Sequence, residues 1–159
     1  MTVVEQLSEL FAELGPQNPE ITDVSQHGSS AAWAVAFADD VIIEAALDEG
    51  RGQLTFSADL GRPEPDAQLA VYEALLLYNA MGSSTDGVTM SLSEPGGHLT
   101  QTYDLDLRDL TAVMLQTVIV NFAQRAWYWR HIIDNGAAPE EPVSTESDRE
   151  DDSLTGMRV

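Results

Sequence analysis

Residues 31–60 read AAWAVAFADDVIIEAALDEGRGQLTFSADL, and this stretch decides the fold. Three segments in it have apolar residues near every second position, the period of strands buried on one face, and these are 31–37, 41–48 and 53–60. The pair Asp39-Asp40 is typical of a tight turn, and residues 49–52 of a looser one. The stretch therefore predicts a three-strand antiparallel meander.

An amphipathic helix is predicted before the meander. Its apolar residues recur at i, i+3, i+4 and i+7, which places them on one helical face: Leu7, Leu10, Phe11 and Leu14. Gly15-Pro16 predicts the end of this helix. The polar stretch from 15 to 30 is expected to connect the helix to the meander without a strand.

Three further elements are predicted after the meander. Residues 66–81 form a helix that is apolar nearly all round, which indicates that more than one side of it is covered. A β-hairpin follows, with strands at 88–94 and 98–106, and a long helix occupies 109–135. The expected fold class is α+β, in the order helix, three-strand antiparallel meander, helix, β-hairpin and long C-terminal helix.

The chain is expected to form one domain with an acidic tail. Its 159 residues suit a single domain, and 43% of them are hydrophobic, enough for a core. The domain is predicted over 1–136 and a flexible tail over 137–159, which is rich in Pro, Ser and acids. The tail holds seven acids and two arginines, which leaves a net charge of −15 on residues 1–136.

The charge of the chain argues against two classes of partner. At a formal net charge of −20 the chain repels phosphate, so binding to nucleic acid or to an anionic membrane surface is not expected. The sequence has no cysteine, no N-terminal pattern of a signal peptide and no apolar run long enough for a membrane span. A cytoplasmic location is predicted.

No pattern in the sequence indicates catalysis, a metal or a cofactor. His27, His98 and His131 are not spaced as a pair of metal ligands and are interpreted as surface residues. Asp106 and Asp109 could hold a cation with a neighbouring carboxylate, but helix capping is the favoured interpretation. An enzyme that uses Asp104, Asp106 and Glu44 is kept as a remote alternative.

The aromatic run Trp127-Tyr128-Trp129 near the end of the last helix is interpreted mainly as core packing. Neighbouring positions of a helix point to different sides. At least one of these rings is therefore expected to lie outside the buried stripe.

The order of elements resembles the class I type III secretion chaperones of the Tir chaperone (CesT-like) family. The resemblance covers about 3–135, and four passages carry it: LTFSADLGRPEP at 54–65, LLLYNAM at 75–81, the hairpin VTMSLSEPGGHLTQTYDL from Val88, and the last helix with Phe122 and Trp127. The family has no invariant catalytic motif, and the acidic tail and the absence of lysine are not among its hallmarks.

The resemblance implies a homodimer that binds the N-terminal segment of a secreted effector protein and keeps it extended and export-competent, without catalysis. By similarity, the effector-binding residues are placed along the first helix and the meander: Leu7, Leu10, Phe11, Leu14, Trp33, Val35 and Phe37. The alternative that these side chains form the core of the protomer stays open. The dimer interface is assigned to Tyr72, Leu76, Tyr78 and Val88.

A second function is kept beside the chaperone: a small α+β interaction or regulatory protein unrelated to secretion. The order of elements does not separate the two, because a fold does not fix a function. In the chaperone interpretation, the negative charge keeps dimers with apolar surfaces apart and attracts positively charged effector segments.

Overall fold

A computed structural model describes residues 1–28, 30–82 and 87–136 of the chain. It contains three helices and six strands: α1 Val3–Gln17, β1 Ile21–Gln26, β2 Ala32–Phe37, β3 Ile42–Asp48, β4 Gln53–Gly61, α2 Gln68–Ala80, β5 Thr89–Leu92, β6 Leu99–Asp106 and α3 Ala112–Asn135. The predicted α+β class is confirmed. The tail predicted over 137–159 lies outside the described residues, so the division into domain and tail stays a prediction.

The strands form one antiparallel sheet in the order β1-β2-β3-β4-β6-β5. Strands β1 to β4 follow one another as a meander, and the predicted strands of the meander are β2, β3 and β4. After α2, β6 returns beside β4, and β5 becomes the far edge. The turn predicted at Asp39-Asp40 is confirmed: Asp40 has φ 65°, and the Asp39 carboxylate accepts from the Val41 amide.

The first strand, β1, was not predicted: residues 15–30 were expected to connect α1 to the meander without a strand. β1 has the sequence ITDVSQ, in which Ile21 is buried, Val24 is half-buried and the other side chains are exposed. A strand with so few apolar residues has a weak alternating pattern. It forms because its backbone pairs with β2 and α1 packs against it.

The core lies between the sheet and the three helices. α1 packs against β1, α2 against β5, and α3 against β3 and β4. Strand residues of one alternation, such as Trp33, Val35 and Phe37, are buried in this core. Residues of the other alternation face outward and are mostly small or polar, and one row across the sheet consists of Ser25, Ala34, Glu44, Ser57, Thr102 and Thr89.

Two helix boundaries differ from the prediction. α1 continues through Gly15 and Pro16 to Gln17, and the Asn18 side chain donates to the Leu14 carbonyl at 2.9 Å. α2 begins at Gln68, two residues after the predicted start at 66.

The start of α3 is a further correction. It begins at Ala112, where the Thr111 hydroxyl accepts from the Met114 amide. Asp109, predicted in the first turn, has φ 58° and precedes the helix. Asp106, predicted to cap the helix, instead accepts from the backbone and side chain of Arg108.

One polar side chain is fully buried between the sheet and α3. Gln101 of β6 has no exposed surface, and its side-chain amide donates to the backbone carbonyl of Phe122 at 2.9 Å. This bond pairs the side-chain NH₂ and ties α3 to the sheet at one point, whereas the buried Oε1 of Gln101 has no hydrogen-bond partner among the described residues.

Candidate protein-interaction surfaces

The outer side of α2 carries large apolar side chains that the chain itself leaves exposed. Within α2, Val71 and Leu75 are buried against the protomer. The exposed apolar residues of α2, of its C-cap and of its neighbour β5 are Leu69 (71%), Leu76 (68%), Leu77 (70%), Met81 (57%) and Leu92 (40%). We call these five residues the α2–β5 surface. Adjacent exposed apolar residues of this size are typical of surfaces that another polypeptide covers.

A shallow cavity of about 240 Å³ adjoins this surface. It lies between α2 and β5 and is lined by Tyr72, Leu75, Leu76, Asn79, Met90, Ser91, Leu92 and Leu99. The Asn79 side chain accepts from the amide of Met90 and donates to its carbonyl, both at 2.8 Å. These two bonds use backbone groups of the edge strand β5, so a further strand has fewer groups to pair with at this edge.

The structure separates the four residues of the predicted dimer interface. Leu76 is exposed, and Tyr72 lines the same cavity with its hydroxyl accepting from Gln68 at 2.9 Å. Tyr78 packs edge-on against Trp129, with ring centroids 5.3 Å apart, and Val88 is buried. The prediction did not assign four exposed apolar residues to the interface: Leu69, Leu77, Met81 and Leu92. The apolar circumference of the predicted helix was a signal that could have identified the first three.

The opposite edge of the sheet, at β1, is open. The His27 amide donates to the Ala32 carbonyl across the β1–β2 pair. Because facing residues of an antiparallel pair alternate between bonded and non-bonded, Val24 and Gln26 direct their backbone groups away from β2. Among the described elements, β2 is the one strand that pairs with β1. A row of unpaired backbone groups is what an added strand needs.

The predicted effector-binding residues lie beneath this edge and mostly inside the protomer. Leu10 is half-buried, and the other six are at most 6% exposed: Leu7, Phe11, Leu14, Trp33, Val35 and Phe37. The Phe11 and Trp33 rings stack at a centroid distance of 4.9 Å and hold α1 on the sheet. In the single chain these residues support the surface near β1, and direct contact with an effector stays a prediction.

The titratable groups do not assemble into a metal site within the described residues. No group of three or more His, Cys, Asp and Glu is placed to hold a metal there. Asp104 accepts from the Thr55 hydroxyl at 2.7 Å, and Asp106 pairs with Arg108 at 2.7 Å, which lowers the pKa of Asp106. Glu44 lies on the same sheet face as Asp104 but is separated from it by β4.

One histidine lies within hydrogen-bonding distance of a carboxylate. The His98 Nδ1 lies 2.9 Å from Asp59, which also accepts from the Gly61 amide at 2.8 Å. Partial burial raises the pKa of Asp59, but the bonds from Gly61 and His98 and the charges of His98 and Arg130 outweigh it. The pKa of Asp59 therefore lies below its usual value. Both side chains are more than half exposed, so the pair is a surface feature.

The run of three aromatic residues divides between core and surface. Trp129 is buried, Tyr128 is half-buried, and Trp127 is 42% exposed. The expectation that one ring lies outside the buried stripe is confirmed.

None of the described helices is both long enough and apolar enough to span a membrane.

An apolar helix side and an open strand edge on an α+β scaffold are features through which proteins bind other polypeptides. A sequence model of the Tir chaperone protein (CesT) family matches residues 33–130. The chain belongs to the Tir chaperone protein (CesT) family. A comparison with curated proteins found no match.

Solved structures have similar folds at low sequence identity. A chain of the ExsC–ExsE complex is 16% identical with a TM-score of 0.67, covering 84% of this chain and 97% of that chain. A chain of the HopA1–SchA chaperone–effector complex is 13% identical with a TM-score of 0.61, covering 80% and 95%. YbjN from E. coli is 15% identical with a TM-score of 0.59, covering 87% and 97%. These similarities show the fold.

Proposed function

We propose that the protein is a cytoplasmic type III secretion chaperone. As a homodimer, it binds the N-terminal segment of a secreted effector and keeps this segment extended and export-competent. The observation that carries the proposal is the family match, which spans most of the sheet and of α3. Two of the similar structures are complexes with a partner, and one of these is a chaperone–effector complex.

The dimer is assigned to the α2–β5 surface. In a two-fold dimer the same patch of each protomer meets its copy, so an apolar helix side can cover itself. Each well-buried apolar side chain contributes about 1.5–3 kcal/mol before the costs of association. This surface offers five such side chains from each protomer, led by Leu69, Leu77 and Leu76.

The effector segment is assigned to the open edge of β1 and the adjoining surface of α1. An extended segment placed there gains backbone hydrogen bonds from Val24 and Gln26, the two residues that face away from β2. The far edge of the sheet is less suited to this role because Asn79 already bonds to β5. In the dimer, each protomer would offer one open edge.

The test begins with the partner. The full chain is purified from its native cell, and the proteins that accompany it are identified and subjected to limited proteolysis. We expect one secreted protein in stoichiometric amount, with a protected peptide near its N-terminus. A regulatory protein that is not secreted would instead support the second function, an interaction protein unrelated to secretion.

The location of the segment is tested with Val24→Pro. Proline removes an amide that faces the open edge, so pairing of β1 with β2 is retained while an added strand loses a donor. Val24→Ala is the matched control, since it also loses the valine side chain but keeps the amide. We expect Val24→Pro alone to weaken partner capture, at unchanged secondary structure by circular dichroism. Equal capture by both variants would place the segment elsewhere.

A further inference from the structure

A cleft of about 490 Å³ lies between α3 and the loops at one end of the sheet. Its lining consists of Glu20, Phe37, Ala38, Asp39, Gln124, Trp127 and Tyr128. Glu20 immediately precedes β1, so the cleft continues from the start of the open edge. We call it the Trp127 cleft.

Trp127 gives the cleft an aromatic wall. Its side chain is 42% exposed, whereas Trp33 and Trp129 are at most 8% exposed. The ring stacks against His131 of the next helical turn at a centroid distance of 5.6 Å and an interplanar angle of 27°. This contact holds the indole in place beside the cleft. An exposed, oriented indole is a surface on which a planar cation binds well.

The charged residues that line the cleft are acidic within the described part of the chain. These are Glu20 and Asp39, and the Asp39 carboxylate is held in place by the Val41 amide at 3.3 Å. A second cavity of about 230 Å³ adjoins the cleft through Asp39 and Trp127. There the guanidinium of Arg130 donates to the Asp40 carbonyl at 2.7 Å.

We propose that the Trp127 cleft binds an arginine side chain of the partner polypeptide. A guanidinium is planar, stacks on an indole face and pairs with carboxylates through a rigid set of donors, so it fits this lining better than an ammonium does. The proposal rests on the proposed function, because the arginine belongs to the segment that pairs with β1. It adds a requirement for the sequence of that segment: an arginine just beyond the residues that pair with the start of β1.

Charge complementarity favours a foreign segment over the chain itself. A second copy of this chain carries a net charge of −20, and residues 137–159 carry seven acids beside Arg149 and Arg158. Both are repelled by the acidic lining. A partner segment that is rich in arginine gains from the same field.

The experiment uses the full chain and two blocked peptides, Ac-GSVRVSG-NH₂ and its twin with citrulline in place of arginine. Citrulline has nearly the shape of arginine without its charge. The indole N–H signals are followed by NMR, and that of Trp127 is assigned with Trp127→Phe. We expect the arginine peptide to move the Trp127 signal saturably, and the citrulline twin to bind about tenfold more weakly.

Charge-neutralising variants locate the binding. The double variant Glu20→Gln, Asp39→Asn is expected to bind the arginine peptide about tenfold more weakly, because both carboxylate charges are lost. The side-chain oxygen at position 39 that accepts from the Val41 amide is kept. Glu49→Gln, in the turn at the other end of β3, is the control and should leave binding unchanged.

Three results would overturn the inference: no saturable shift of Trp127 at millimolar peptide, equal binding of the two peptides, or equal loss in Glu49→Gln. A shift of the free protein's Trp127 signal on Arg149→Gln or Arg158→Gln would also overturn it, since the occupant would then be the chain's own segment. Failure of the proposed function is distinct. It is the absence of a partner in the purification, whatever the peptides do.

Discussion

Replacing Leu76 with alanine should weaken the proposed dimer strongly while leaving the fold of the protomer intact. The side chain is 68% exposed in the single chain, so a partner protomer can bury about two thirds of it. Full burial of a leucine is worth about 1.5–3 kcal/mol, which makes this contact worth about 1–2 kcal/mol per protomer. Alanine suits a helix interior, and no buried contact of the core is lost.

The two-fold symmetry doubles the effect. Each dimer contains two copies of Leu76, so the loss is about 2–4 kcal/mol, and the dissociation constant rises by roughly 30- to 700-fold. Sedimentation equilibrium over a range of concentrations measures this constant directly. Val113→Ala is the matched control, since Val113 is 70% exposed but lies on α3. A wild-type protein that sediments as a single chain at every concentration, or equal constants for Leu76→Ala and wild type, would refute the assignment of the dimer to α2.

Three further predictions concern the core, pH and salt. Phe11→Ala should lower the free energy of unfolding by about 3–5 kcal/mol in urea, because Phe11 is 1% exposed and stacks on Trp33; a small change would contradict its core role. The pKa of the Asp59 carboxylate lies below 3.8, so the stability that this carboxylate supplies is present above pH 3.8 and is lost as the pH falls through its pKa in the folded protein. The difference in unfolding free energy between wild type and Asp59→Asn should therefore shrink on acidification. A difference that stays constant with pH would contradict this prediction. Association with a positively charged partner should slow as salt rises, and stopped-flow rates that are independent of ionic strength would exclude steering.

The meander and the long helix could be predicted from the sequence because their signals are strong and local. Trp33, Val35 and Phe37 alternate with alanines, and the structure buries these three while the alanines between them face outward. The turn at Asp39-Asp40 follows from the ability of Asp to adopt a positive φ.

The first strand and the helix ends could not be predicted in the same way. β1 is defined by its pairing with β2, a long-range interaction that the pattern of ITDVSQ does not record. Gly15-Pro16 is a usual stop signal, but α1 continues past it to Gln17, and the Asn18 side chain bonds to the carbonyl of Leu14 one turn earlier.

The sequence also did not predict which individual residues form the candidate surfaces. Periodicity identified the apolar positions of α2, but it did not show which of them face the protomer. Leu75 is buried and Leu76 is exposed, although they are neighbours of the same residue type, because the position of β5 decides between them. The exposed edge of β1 could not be predicted either, because the strand itself was not predicted.

The side chain of Gln101 determines how α3 is positioned along its axis relative to the sheet. A helix that rested on the sheet through aliphatic contacts alone could slide by a turn at modest cost, because such contacts are not directional. The bond from Gln101 to the carbonyl of Phe122 is satisfied at one axial position of α3 and is lost at every other. This hydrogen bond therefore fixes the axial position of α3 on the sheet and keeps Trp127 opposite the β2–β3 loop. In Gln101→Leu, we expect the amides of α3 to exchange hydrogen faster even where the melting temperature is retained.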